Sequence, residues 1–264
     1  MSDQNKQVEV ITEVQEASLS LITKAEIDIQ ISTAKAFPRS IKMFLDKATS
    51  MATVTEDVAA SCTYALPRSG KNIEGPSVRL AEIVCAAYGN IRSGARVIAN
   101  DGKTITAQGV CHDLETNNCI TVEVKRRITD KYGKTYNEDM QVVAGNAACA
   151  IAFRNAVFKA VPAALISDIY ERVKEVAKGT AETLTARRDK AVKYFTDNGI
   201  SEKQILDALE LRKKEDIDIE KLSVLRGMVS AVKNGETTLH DLFVKEQPDK
   251  SDASKSAKEG FTAK

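Results

Sequence analysis

No apolar run in this chain approaches the roughly 20 residues of a membrane-crossing helix, so no membrane span is expected. Histidine is scarce, with only His112 and His240, and the five cysteines (Cys62, Cys85, Cys111, Cys119 and Cys149) form no C-x-x-C pair. Zinc sites need paired ligands at short spacing, so neither a metal nor another cofactor is expected. Each thiol sits among apolar or small neighbours, the usual setting of a buried, reduced cysteine. Met1 to Gln15 is polar and acidic and lacks the basic start and apolar core of a secretory signal, which leads to the expectation of a cytoplasmic protein.

Charge of one sign is also lacking: the net charge is +1 over 264 residues. It is unevenly spread. Residues 1–66 carry six Lys/Arg against nine Asp/Glu, and residues 67–160 carry thirteen against nine. A modestly basic middle is compatible with a polyanionic partner but is weak evidence alone. The length suits one large domain, or one with a small satellite.

Along the chain, the alternation of Ile27, Ile29 and Ile31 with polar residues predicts a strand over Ala25–Thr33. Pro38 opens a helical stretch through Ile41, Phe44, Leu45 and Ala48, and a short helix follows over Glu56–Tyr64. Pro67 to Pro76 reads as a loop. A helix through Leu80, Ile83, Val84 and Ala87 stops at Gly89.

Three strands are expected at Ile91–Ile98, Thr104–His112 and Cys119–Thr129. Asn100-Asp101-Gly102 joins the first two as a three-residue loop, pairing Val97 with Ile105, Ala95 with Ala107, Ser93 with Gly109, and Arg96 with Thr106. Alternation then puts Ile91, Ala95, Val97, Ile105, Ala107, Ile120, Val122 and Val124 on the core face. The other face carries Arg92, Arg96, Thr104, Thr106, Gln108, Thr121, Glu123, Lys125 and Arg127. A turn at Asp130–Lys134 leads to a short fourth strand near Asp139–Val143.

Asn146 to Val161 is a helix whose strongly polar residues after its cap are Arg154, Asn155 and Lys159, so it should be buried on most sides. Pro162 interrupts it, and a more amphipathic helix continues to about Ala177. Residues 183–245 read as a separate helical piece, with a capping box at Ser201-x-x-Gln204 and a helix over Asp218–Val232. The expected fold is α+β. An antiparallel three- to four-stranded meander packs on a long apolar helix in a core domain at 20–178. A flexible stretch at 1–19, a small all-helical domain at 183–245 and a disordered tail at 246–264 complete the chain.

This order resembles the core of the single-strand annealing proteins, the phage recombinases of the Erf, RecT and Red-beta types and their eukaryotic recombination-mediator relative. Ile73-Glu74-Gly75 followed by Leu80-Ala81-Glu82 is similar to the family's "IEG…LA.E" approach to its first core helix. Tyr136-x-Glu138-Asp139, followed by Val142-Val143-Ala144-Gly145, is similar to its "YHEDVG" strand. The resemblance covers about residues 70–165. It implies a non-enzymatic, ATP-independent protein of a bacterial host cell that assembles into a ring or helical filament. In that picture single-stranded DNA lies by its backbone in a basic groove between the sheet and the helices, while base edges stay free to pair. The implied contacts are Arg92, Arg96, Lys125, Arg126 and Arg127 on strands, Lys131 and Lys134 in the third turn, and Arg154 and Lys159 on the apolar helix. By analogy with phage annealers, the C-terminal helices would dock a host single-strand-binding protein or a companion exonuclease.

Other readings compete. Lys125-Arg126-Arg127 also suits a solvated sheet edge, and Arg154, too costly to bury unpaired, could meet Glu74 or Glu82 instead of a phosphate. Asp101-Gly102-Lys103-Thr104 mimics the end of a phosphate-binding loop, but the earlier glycine is missing and the segment is a hairpin. A metal-dependent nuclease would need Asp113 and Glu123 to converge beside Lys125, whereas the register puts them on opposite faces. Cys149 and His112 as nucleophile and base have nothing to bring them together. Tyr132 and Tyr136 could stack on bases. An accessory or structural phage or plasmid oligomer, basic for unrelated reasons, is the alternative from a different class.

Overall fold

The structure is a computed structural model that describes residues 3–68, 71–130, 132–179 and 184–243. Lys131 and the 246–264 tail lie outside the described residues. The chain is α+β, with two small antiparallel sheets and a helical C-terminal region.

The first element, α1 (Asp3–Ala36), absorbs the stretch expected as a strand over Ala25–Thr33. Isoleucines at alternate positions fit either geometry. A helix, however, puts Ile27, Ile31 and Ala34 on one stripe, where Ala34 is buried and both isoleucines are half-buried. The opposite stripe, with Leu21, Ile22 and Ile29, is exposed.

Two short helices follow, α2 (Ile41–Ala52) and α3 (Glu56–Ser61), capped by the side chains of Ser40 and Thr55. Pro67–Pro76, expected as a loop, instead contributes to a hairpin of β1 (Thr63–Arg68) and β2 (Lys71–Pro76). The prolines sit near strand ends and do not prevent pairing. Gly75 faces Tyr64, whose ring atoms would lie 2.9 Å from any added Cβ.

Ser77 caps α4 (Val78–Tyr88), which ends at Gly89 with φ 66°. The main sheet follows in simple order: β3 (Ile91–Asn100), β4 (Thr104–Asp113) and β5 (Asn118–Arg127). Its β3–β4 register differs from expectation by two positions. Val97 pairs with Ala107, Ser93 with Cys111 and Arg96 with Gln108: the turn is wider than expected, closing at Asn100 with Ile105, and a bulge between Val97 and Ala99 takes back one residue. A shift of two preserves the side of the sheet each residue takes, but Ala95 and Val97, expected against the core, are exposed, and Thr106 on the other face is buried.

The fourth strand near Asp139–Val143 does not form. Those residues open α5 (Glu138–Ala160), where Asn137 accepts the Met140 N–H and Glu138 and Asp139 occupy the first turn. An oxygen cap and two acids at the positive end of the helix dipole are sound reasons to start a helix there. Ala144, Ala148, Ala152 and Ala156 form a buried stripe at every fourth position. This stripe lets α5 lie close on the sheet: a Cβ on Gly109 would stand 2.1 Å from the Ala152 carbonyl oxygen. At Pro162 the chain bends by 117° into α6 (Ala163–Lys178). No single helix among the described residues is long and apolar enough to cross a membrane.

Helices α2, α3, α4, α5 and α6 share a core containing Phe44, Leu80, Val84, Val157 and Ile169. Arg39 pins its edge, donating to both carboxylate oxygens of Asp113 and to the carbonyls of Tyr88 and Gly89. The C-terminal helices are α7 (Leu184–Asp197), α8 (Glu202–Leu209), α9 (Ile219–Lys233) and α10 (Leu239–Phe243). The Ser201–Gln204 capping box forms as expected. Their core of Phe195, Ile205, Leu222, Leu225 and Met228 also takes in Ala65 of β1. Gly227 of α9 permits this contact, since a Cβ there would meet Ala65 at 2.9 Å.

Candidate nucleic-acid interface

The two faces of the β3–β5 sheet differ in kind. Odd-numbered β4 residues point to α5, and Ile105, Ala107 and Cys111 are buried there. Even-numbered ones point away, and their cross-strand partners define the open face: Arg96–Gln108–Glu123, Thr106–Lys125 and Thr104–Arg127. Arg96 and Glu123 lie on the same face two strands apart, about 10 Å at the usual spacing, and do not form an ion pair. Among the described residues, Arg96, Lys125 and Arg127 have no carboxylate partner within 4.0 Å. Arg92 joins the same face but donates a hydrogen bond to Gln30 of α1 at 3.2 Å.

Two turns extend this surface at one end. The Thr135 hydroxyl donates to the Gly102 carbonyl at 2.7 Å, and Thr129 and Thr135 form an isolated bridge. These contacts hold the segment carrying Lys134 against the turn carrying Lys103, next to the end of β4 where Thr104 pairs with Arg127. Asp101 and Asp130 lie in the same turns, but backbone N–H groups occupy them. The amides of Thr104 and Lys103 and the Thr104 hydroxyl draw the Asp101 carboxyl down to about 2. The Asp130 carboxylate accepts from the N–H groups of Tyr132 and Lys134. Tyr132, 82% exposed, stands in this turn, whereas Tyr136 packs against Ile105, Ile128 and Ala144.

Other expected contacts lie elsewhere. Arg126 has the inward parity of β5; it donates to the Glu236 carbonyl at 3.0 Å and pairs with Asp241 at 3.5 Å. Arg154 pairs with Glu236, not with Glu74 or Glu82, and its guanidinium lies 4.6 Å from the centre of the Tyr64 ring. The Glu236 carboxylate also accepts the Val78 N–H at the start of α4. Burial raises the Glu236 carboxyl above its ordinary 4.5, against the pull of Arg154 and Val78. Lys159, exposed near the end of α5, is on the helix side of the sheet and apart from the open-face set.

Among the described residues, the sheet and helices do not enclose a basic groove where the layers meet. Over β4 the layers touch at Gly109 and Ala152. Beside β3 they leave a cleft of about 420 Å³ lined by Val97, Ile105, Val142 and neutral polar groups, with Glu138 as its one charged residue.

Asp113 and Glu123 do not meet either. Asp113 is buried on the helix side against Arg39, and Glu123 is on the open face. Cys149 packs toward Ala107 and Val124 under the sheet, while His112 belongs to the other face and contacts Asn117 at 3.0 Å. No group of three or more His, Cys, Asp or Glu side chains among the described residues could hold a metal ion.

Sequence reasoning missed Lys103. Glu236 gave no local signal, lying 82 positions from its partner. No protein-family model matches this chain, and neither a curated protein nor a solved structure does.

Proposed function

We propose that this protein binds single-stranded DNA along the open face of the β3–β5 sheet and anneals complementary strands without a cofactor or nucleotide hydrolysis. The observation that carries the reading is the group of Arg96, Lys125 and Arg127 on the open sheet face, with Lys103 and Lys134 in the adjoining turns, none of them in an ion pair within 4.0 Å among the described residues. Cations spread along a pleated surface neutralise phosphates without reading base edges, which annealing requires to stay free. The meander packed on an alanine-lined helix keeps part of the order of elements that resembles the annealing family, without its short fourth strand.

In this mechanism the strand is held by its backbone, bases are presented outward, and the duplex leaves because pairing supplies the free energy. Arg126, Arg154 and Lys159 are outside the binding set: the first two hold the C-terminal segment, and the third faces the other way. Fluorescence anisotropy with a short unstructured oligonucleotide, paired with a strand-annealing assay using fluorescent complementary strands, tests the reading. Binding with faster annealing is the expected result; an oligonucleotide left unbound at low salt overturns it.

A second reading is favoured by α1. Leu21, Ile22 and Ile29 are 68%, 56% and 66% exposed along one side of a 34-residue helix, an arrangement that suits an accessory oligomer held together through these side chains. Sedimentation of the full chain carrying Leu21→Glu and Ile29→Glu distinguishes the two. Loss of assembly with unchanged oligonucleotide binding separates α1 from the open face.

A further inference from the structure

The Cys85 and Cys111 side chains are brought together by the fold. Cys85 is on α4, and its sulfur lies 3.5 Å from the Ser93 hydroxyl. Ser93 is the cross-strand partner of Cys111, so the two side chains project to the same side of the sheet, toward α4. The two thiols are near enough for each to perturb the titration of the other. Cys111 is fully buried and Cys85 only half-buried, so an oxidant in solution has one point of access to the pair.

We propose that Cys85 and Cys111 form a peroxide-sensitive dithiol that closes to a disulfide, joining α4 to the central strand. The Cys85 thiolate attacks hydrogen peroxide, giving a sulfenic acid and, with a proton, one water. The Cys111 sulfur then displaces the sulfenic hydroxyl, which leaves as a second water. Two thiols and one peroxide become one disulfide and two waters.

The surroundings favour Cys85 as the nucleophile. The neighbouring Cys111 lowers the Cys85 thiol below its ordinary value against the effect of burial, while Cys85 and burial together raise Cys111. The other thiols are worse placed. Burial pushes Cys62 up to about 11 and also raises Cys149. Cys119 pairs with His112 on the open face, so the sheet separates it from Cys85.

The test is to treat the reduced full-length protein with hydrogen peroxide, block remaining thiols with iodoacetamide, and map tryptic peptides without reduction. The expected product joins peptide 80–92 to peptide 104–125 through Cys111 and is two hydrogens lighter than the separate reduced peptides. It should persist in Cys119→Ser, vanish in Cys85→Ser, and revert with dithiothreitol. Recovery of both thiols in alkylated form overturns the proposal, as does Cys85 over-oxidised to a sulfinic acid beside an alkylated Cys111, or a link assigned to Cys119.

Discussion

The Arg154 guanidinium and the Glu236 carboxylate form an ion pair that is nearly buried on both sides, with side-chain exposures of 13% and 2%. It fastens the segment after α9 to the middle of α5, and through Val78 to the start of α4. An arginine inside an apolar helix is accounted for by this contact without any ligand.

Removing one member of such a pair strands the other. Glu236→Ala leaves Arg154 uncompensated and the Val78 N–H without its acceptor. The expected loss is about 3–5 kcal/mol, read as a lower urea midpoint. Oligonucleotide affinity of the folded fraction should not change.

Asp113 should show the pH dependence of a carboxylate that the folded state keeps ionised. Burial pushes its carboxyl up, but the Arg39 hydrogen bonds and the Glu115 N–H prevail and hold it below the ordinary 3.8. Its contribution is therefore present above the unfolded value and is lost as pH falls through the lower folded value. The stability gap between wild type and Asp113→Asn should be full at pH 7 and narrow below about pH 4. Urea melts at several pH values check this, and a gap that widens in acid contradicts it.

Two glycines of the same sheet should respond oppositely to alanine. Gly109→Ala drives a methyl group into the Ala152 carbonyl, a backbone atom that cannot rotate away, and should cost about 2–3 kcal/mol or more. At Gly94 nothing lies within 4 Å of the place a methyl group would take, so Gly94→Ala should stay within about 0.5 kcal/mol. Thermal melts of both variants suffice.

Much of the fold was legible because it depends on local chemistry. Ser77 and Gly89 bracket α4, Ser201 and Gln204 form a capping box, and alternation set the faces of all three main strands. Where the sequence misled, two geometries shared one pattern. Ile27, Ile29 and Ile31 fit a strand until Ala34 completes a helical stripe, and Asp139–Val143 looks extended until Asn137 is seen as a cap. The site was half legible. Parity alone placed Arg96, Lys125 and Arg127 together and should have set Arg126 apart. The Arg154–Glu236 contact could not be read, since nothing local signals a partner so far along the chain.

The salt dependence of single-strand binding tests the central claim most directly. Five phosphate contacts by Arg96, Lys103, Lys125, Arg127 and Lys134 predict that log K falls against log salt with a slope of about −3.5, from about −0.7 for each contact. The variant Arg96→Ala/Lys125→Ala/Arg127→Ala should flatten it to about −1.4 and weaken binding while the protein stays folded. An unchanged slope and affinity in that folded variant would contradict the assignment of the open sheet face as the binding surface.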